Sequence, residues 1–267
     1  MLRTLISLGL LAALAPSQDP AAALEQLLRD PRMSGARVGV VVLDLENNRV
    51  VCSHDANAGF MPASNMKLVS SAVALLTLGP DFRFRTVLRA RGRFADGTLD
   101  GDLELVGSGD PTLGGRHEKT AIAPFERFAQ VVKKRGINRI TGRVLGNDDC
   151  QPDEIMGDGW SWDDESAAYA AQVSGLCFAE NSVRVLVQSK GAGQPPRVRL
   201  TPATDYLDVV CSAQVRENKR AGPLLMRRAH GGNRILVTGA MPSSTSLAQH
   251  LSVDNPTAYA AHVLRET

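Results

Sequence analysis

The chain is 267 residues long, 43% hydrophobic and 22% charged, with a formal net charge of +2 at neutral pH. That is enough polymer and apolar content for a sizeable core and more than one domain, and it excludes an intrinsically disordered chain. The near-neutral balance gives no global case for binding nucleic acid, and no nucleic-acid partner is expected.

The first segment reads as an address. Arg3 gives a short basic start, Leu5 to Ala15 is apolar, and Ala13-Leu14-Ala15 is a small-x-small cleavage signal, with Pro16 shifting the cut toward Ser17-Gln18. Residues 1–17 are expected to be a secretory signal peptide, too short to span a membrane stably. The mature product is then exported, to the periplasm or cell envelope, with no integral membrane segment. No cysteine closes the apolar run, so no lipid anchor is indicated.

Ala36 to Asp44 alternates and then runs apolar, as a buried strand would; Glu46-Asn47-Asn48 is a turn signal and Arg49 to Ser53 a returning strand. Next, Phe60-Met61-Pro62-Ala63-Ser64-Asn65-Met66-Lys67-Leu68 sets a serine three residues ahead of a lysine at the start of an apolar run. A hydroxyl is a poor nucleophile near neutral pH unless an adjacent base takes its proton. Residues three apart share a helix face, so Ser64 is the candidate nucleophile and Lys67 the candidate general base. Val69, Ala72, Val73, Leu75, Leu76 and Leu78 predict a buried helix that Gly79-Pro80 stops. A lysine at the edge of such a core is expected to be partly desolvated, which favours the neutral amine. The competing reading is a surface N-cap serine followed by a solvated lysine.

Phe82 to Arg91 and Leu99 to Val106 read as strands joined by an Ala95-Asp96-Gly97 turn. Arg83, Arg85, Arg89, Arg91 and Arg93 alternate along the first and predict a solvated basic face. A helix follows, with Pro124 in its first turn, an apolar stripe through Phe125, Phe128, Val131 and Val132, and Lys133-Lys134-Arg135-Gly136 at its end. Ile137 to Leu145 reads as the strand completing a βαβ-like unit. The acidic Asn147-Asp148-Asp149 lacks the spaced oxygen ligands of a calcium loop and reads as a solvated turn. Trp160 and Trp162 are expected in an inter-domain core rather than in a substrate platform. Short β segments then run at Val183–Val187, Val198–Leu200, Tyr206–Val210 and Ile235–Thr238, and the chain closes on an alanine-rich helix ending at Arg265-Glu266-Thr267 without a cap. Cys52, Cys150, Cys177 and Cys211 allow three disulfide pairings in an exported protein, with Cys52 also readable as a buried free thiol. His54, His117, His230, His250 and His262 show no metal-binding spacing, so neither metal nor organic cofactor is expected.

Ser64 and Lys67 match the Ser-x-x-Lys element of the penicillin-recognising serine hydrolases, whose other signatures are Ser-x-Asn and Lys-Thr-Gly. Within that superfamily the chain resembles the D-alanyl-D-alanine carboxypeptidases/endopeptidases of the penicillin-binding protein 4 type. The likeness rests on residues 60–64, Gly107-Ser108-Gly109-Asp110-Pro111-Thr112-Leu113, Gly159-Trp160-Ser161-Trp162-Asp163-Asp164, Ser174-Gly175-Leu176-Cys177-Phe178-Ala179-Glu180-Asn181, and Asp254-Asn255-Pro256-Thr257-Ala258-Tyr259-Ala260-Ala261. The chain holds no Ser-x-Asn; Ser252-Val253-Asp254-Asn255 has its asparagine one place late, and Lys134-Arg135-Gly136 stands at a helix end rather than on a strand. A truncated sequence is inferred. Similar proteins often carry an aspartate near position 147 that approaches the active site; here the position is Asn147, with Asp148 beside it.

The resemblance implies an α+β protein: an incomplete β-lactamase/penicillin-binding-protein-like catalytic domain interrupted by a large, mostly β insertion. The expected order is signal peptide 1–17, first catalytic part 18–80, insertion 81–245, and the start of the returning catalytic part 246–267. It implies a serine-type D-alanyl-D-alanine carboxypeptidase acting on peptidoglycan stem peptides through an acyl-enzyme and acylated by β-lactams. A β-lactamase-like hydrolase and a non-catalytic envelope-binding protein of the same fold are the alternatives.

Overall fold

The structure, a computed structural model, describes residues 19–115, 117–217 and 222–267, so the predicted signal peptide at 1–17 lies outside the described residues. Two compact units divide the chain, one ending at Phe82 and the other running Arg83–Thr267.

In the first unit, Asp19 caps α1 (Pro20–Leu28) by accepting the Ala21 N–H at 3.1 Å. The predicted hairpin forms from β1 (Val40–Asp44) and β2 (Arg49–His54), antiparallel, with a bulge between Val42 and Leu43. Asp44 closes its turn, accepting from the Glu46 N–H at 3.0 Å and the Asn47 amide at 2.6 Å. A 3₁₀ turn (Ala63–Asn65) runs into α2 (Met66–Leu78), which stops where Gly79 takes φ 78°.

The burial predicted for this unit is not found. No described residue of the unit is buried, and on α2 Leu68 and Leu76 are 72% and 86% exposed. One two-stranded ribbon and two short helices have too little surface between them to cover an apolar run on all sides.

The second unit has a core. β3 (Val87–Ala95) and β4 (Thr98–Val106) pair antiparallel through an Asp96-Gly97 turn, both residues at positive φ, the geometry that matches strand twist. After α3 (Ala123–Lys134), β5 (Arg139–Ile140) and β6 (Val144–Asn147) both run parallel to β4. The single strand predicted over Ile137–Leu145 is split at Gly142, where a Cβ would meet the Asp102 carboxylate at 2.3 Å and the Gly101 carbonyl at 2.5 Å. The basic face also differs from expectation. Arg83 and Arg85 precede β3, while Arg91 grips the buried Glu104 carboxylate with two contacts of 2.7 Å and Arg89 stands 3.9 Å from it.

The remaining strands are β7 (Ser182–Gln188), β8 (Arg197–Thr201), β9 (Asp208–Cys211), β10 (Gln214–Arg216), β11 (Leu224–Arg228), β12 (Arg234–Pro242) and β13 (Ser246–Ser252). They form two sheets, β13-β7-β8 and β10-β12-β11, with β9 also pairing β12. Alternate residues Val183, Val185 and Val187 on β7 and Ile235 and Val237 on β12 are fully buried, as a half-buried strand requires. Asn255, at φ 54°, caps α4 (Pro256–Glu266) by accepting the Ala258 N–H at 3.0 Å. Phe178 is fully buried between Phe125, stacked at 4.4 Å, and Tyr259 at 5.4 Å. Residues 246–267, expected to open a returning catalytic segment, form β13 and α4; β13 pairs with β7 and α4 packs against β6 inside this second unit.

Candidate active site

Phe60 sets the position of the serine loop. Gly39, just before β1, has no Cβ, and one placed there would fall 2.5 Å from the Phe60 ring; the ring lies against the strand only because that position is glycine. The Arg37 guanidinium sits over the same ring, 5.0 Å from its centroid. Pro62 then leads into Ala63, held at φ 43°, a left-handed conformation that costs a non-glycine residue about 1–3 kcal/mol. That strain falls on the residue immediately before Ser64. Ser64 stands in the first helical turn, where backbone N–H groups lack intrahelical partners.

One turn on, Lys67 Nζ lies 3.0 Å from Ser64 Oγ. The amine donates across this gap, and the same separation serves the reverse transfer from hydroxyl to amine once the lysine is neutral. The predicted desolvation is absent: Ser64 and Lys67 are both exposed, because the apolar side of α2 is uncovered among the described residues.

The other segments singled out in the sequence build a braced frame in the second unit. Gly107 donates its N–H to the Asn147 carbonyl at 2.9 Å and Gly109 to the Gly175 carbonyl at 2.7 Å. A Cβ on Gly107 would lie 2.1 Å from that Gly175 oxygen, so the two segments touch backbone to backbone. Asp148 accepts from the Thr257 hydroxyl and, at 3.3 Å, from Ser174. It is therefore a cross-link between three segments rather than part of a solvated turn. Asn147 is likewise occupied, its amide donating to Asp149 at 2.9 Å and Glu104 at 3.2 Å. Gln172 donates to Asp254 at 2.7 Å and accepts the Asn255 N–H at 2.8 Å, while Asn181 donates to the Gln172 carbonyl at 2.9 Å.

Trp160 and Trp162 are not core residues: they are 42% and 75% exposed. All four cysteines are free thiols; Cys52 is half-buried rather than in a core. Burial, with the charges of Asp110 and Glu180, pushes the Cys177 thiol up to about 11. Lys134-Arg135-Gly136 ends α3, as expected, with Gly136 at φ 79°.

Two charged clusters have no linear signature. Buried Arg228 and Glu165 pair at 2.8 Å, and His230 Nδ1 closes on the other Glu165 oxygen. Asp205, His262 and Glu266 converge in the second. The members of each pair across the chain are 63 and 57 residues apart, beyond the reach of spacing rules.

A family model described as the D-Ala-D-Ala carboxypeptidase 3 (S13) family matches residues 20–267. The chain belongs to that family. Among curated members of this carboxypeptidase family, the D-alanyl-D-alanine carboxypeptidase of an Actinomadura species is 33% identical over 250 residues, covering 91% of this chain and 45% of the relative. The D-alanyl-D-alanine carboxypeptidase DacB of Haemophilus influenzae is 25% identical over 238 residues, covering 86% of this chain and 47% of the relative. The chain thus spans about half the length of the curated relatives it matches. Among solved structures, penicillin-binding protein 4 of Haemophilus influenzae superposes with a TM-score of 0.69 at 25% identity, over 85% of this chain and 49% of that one. The same protein in complex with a β-lactam superposes at a TM-score of 0.63 and 24% identity, over 92% of this chain and 50% of that one, and shows the shared fold. The mixed α and β architecture expected from the sequence is therefore the penicillin-binding-protein-like fold.

Proposed function

We propose that this chain carries the nucleophile of an exported serine-type D-alanyl-D-alanine carboxypeptidase. The observation that carries the reading is the 3.0 Å approach of Lys67 Nζ to Ser64 Oγ, inside a chain matched to the carboxypeptidase family over residues 20–267. Ser64 Oγ attacks the carbonyl joining the two terminal D-alanines of a peptidoglycan stem peptide while neutral Lys67 takes its proton. The proton then passes to the departing amine, D-alanine leaves, and water hydrolyses the acyl-enzyme. The Ser64 N–H supplies one oxyanion donor. β-Lactams acylate the same oxygen.

In this proposal the first unit is part of a catalytic domain and the second contains the insertion. The second oxyanion donor and the Ser-x-Asn and Lys-Thr-Gly elements come from polypeptide outside residues 1–267. That polypeptide also covers the apolar side of α2 and desolvates Lys67. Export through the signal at 1–17 supports a periplasmic or envelope location; no described helix is long and apolar enough to cross a membrane.

The test is acylation of the full native protein by a fluorescent penicillin, read by intact mass, with release of D-alanine from a peptide ending in D-Ala-D-Ala measured beside β-lactam turnover. One adduct on Ser64, lost in S64A, with D-alanine release is expected. An adduct elsewhere, or acylation surviving in S64A, would overturn the reading. Rapid β-lactam turnover without D-alanine release would move it to a β-lactamase-like hydrolase.

A further inference from the structure

We propose that Asp205, His262 and Glu266 form a divalent-metal site, best matched to zinc, that ties the loop before β9 to the last turn of α4. The sequence predicted no metal centre, because its five histidines show no metal-binding spacing; the fold supplies the third ligand from a loop.

Geometry comes first. His262 and Glu266 stand four apart on α4 and so share a face. His262 Nε2 lies 2.5 Å from Asp205 Oδ1 and 3.3 Å from Glu266 Oε1, and the three ligand atoms all fall within 4.8 Å of one another. Zinc bonds of 2.0–2.2 Å to nitrogen and oxygen place neighbouring ligands of a tetrahedron about 3.4 Å apart. The His262–Glu266 edge already has that length. The His262–Asp205 edge has to open by about 1 Å, and the Asp205 side chain, 85% exposed, is free to swing.

Charge points the same way. The Asp205 and Glu266 carboxylates face the same imidazole, and two negative charges brought this close favour a cation. Without a metal, the His262 imidazole bridging them and neighbouring Arg265 are what offset that charge. A dication bound by two carboxylates and a neutral imidazole makes a neutral cluster.

The surroundings position His262 and Glu266 and leave a coordination position open. Glu266 Oε1 accepts the Asp205 N–H at 2.9 Å. The Tyr206 ring packs 5.4 Å from the imidazole, anchored by its hydroxyl donating to the Asp254 and Asn255 carbonyls at 2.9 and 3.0 Å. Beside His262 a cavity of about 420 Å³, lined by Asn255, Thr257 and Arg265, gives room for a fourth ligand from solvent.

The test uses the full native protein, stripped with chelator and equilibrated with micromolar zinc chloride, with retained metal counted by mass spectrometry and affinity by calorimetry. One equivalent is expected. His262→Gln and Glu266→Gln should each weaken binding at least tenfold, and His250→Gln, on the exposed part of β13, should leave it unchanged. Cobalt(II) should give the intense visible absorption of a four-coordinate site, absent in H262Q. Circular dichroism of each variant separates lost ligation from lost folding. No zinc retained by the wild type, or retention unchanged in the His262→Gln/Glu266→Gln double variant, overturns the proposal. Penicillin acylation of H262Q, expected to match wild type, keeps this outcome separate from that of the Ser64 reading.

Discussion

Glu165→Ala is the most demanding perturbation of the second unit. Its carboxylate is 8% exposed and pairs at 2.8 Å with an Arg228 side chain only 1% exposed. Arg228 keeps its bonds to the Ala229 and Gly232 carbonyls in the variant but loses its counter-charge. Breaking a buried pair from one side costs about 3–5 kcal/mol, because the partner stays charged and dry. For a unit the size of Arg83–Thr267, each kcal/mol moves the melting temperature by about 2–4 °C, so E165A should melt roughly 6–20 °C below wild type. Thermal and urea unfolding followed by circular dichroism measure it, and a cycle with Arg228→Met apportions it. In that cycle R228M should cost much less when Glu165 is already gone. A loss under about 1 kcal/mol in E165A, or two substitutions that add within about 0.5 kcal/mol, would refute the reasoning.

The same pair sets an acid limit. Burial alone would raise the Glu165 carboxyl, but hydrogen bonds from Arg228 and His230 and their charge outweigh it and hold it below the usual range. Its stabilising contribution is therefore complete above the unfolded glutamate value of about 4.3 and is lost as pH falls through the lower folded value, a steepening of acid unfolding that E165A should lack. Gly107→Ala should destabilise the unit strongly or block its folding, since the new Cβ meets backbone at 2.1 Å; refolding yield and urea midpoint report it. Exposed Cys150 and Cys211 should react with a thiol reagent well before Cys177, whose thiol burial pushes up to about 11, and mass spectrometry of timed aliquots gives the order. Lys67→Ala should slow penicillin acylation of the full protein by about 10²–10⁴, the usual worth of a positioned base, while leaving Ser64 able to react at high concentration.

What was legible in the sequence was local. The β1–β2 hairpin and α3 were written in alternation, turn residues and the 3.6-residue stripe, and Ser64 and Lys67 needed only one helical turn to meet. β13 escaped because its burial is irregular along the strand, β11 because its sequence Leu224-Leu225-Met226-Arg227-Arg228 does not alternate although its burial does, and α1 because it buries no residue and has no core-facing stripe to read. The Phe60–Gly39 contact, the Asp148–Thr257 link and the Glu165–Arg228 pair join residues brought together only by the tertiary fold. The glycines and polar residues of the segments at 107–113, 174–181 and 254–261 were conspicuous as text, yet many of their side chains brace backbone against backbone. The expectation of a buried α2 failed because it came from reading an apolar run without knowing what lies against it.

Synthesis runs from the N-terminus, yet no described residue of the first unit is buried while the second unit closes around Phe178 and Tyr259. The ribbon and the two helices of that unit leave their apolar side chains open, and these gain cover only when something else settles on them. On the reading proposed above, Ser64 is thus made early and armed late: its hydroxyl leaves the ribosome before the surroundings assigned to later polypeptide can assemble.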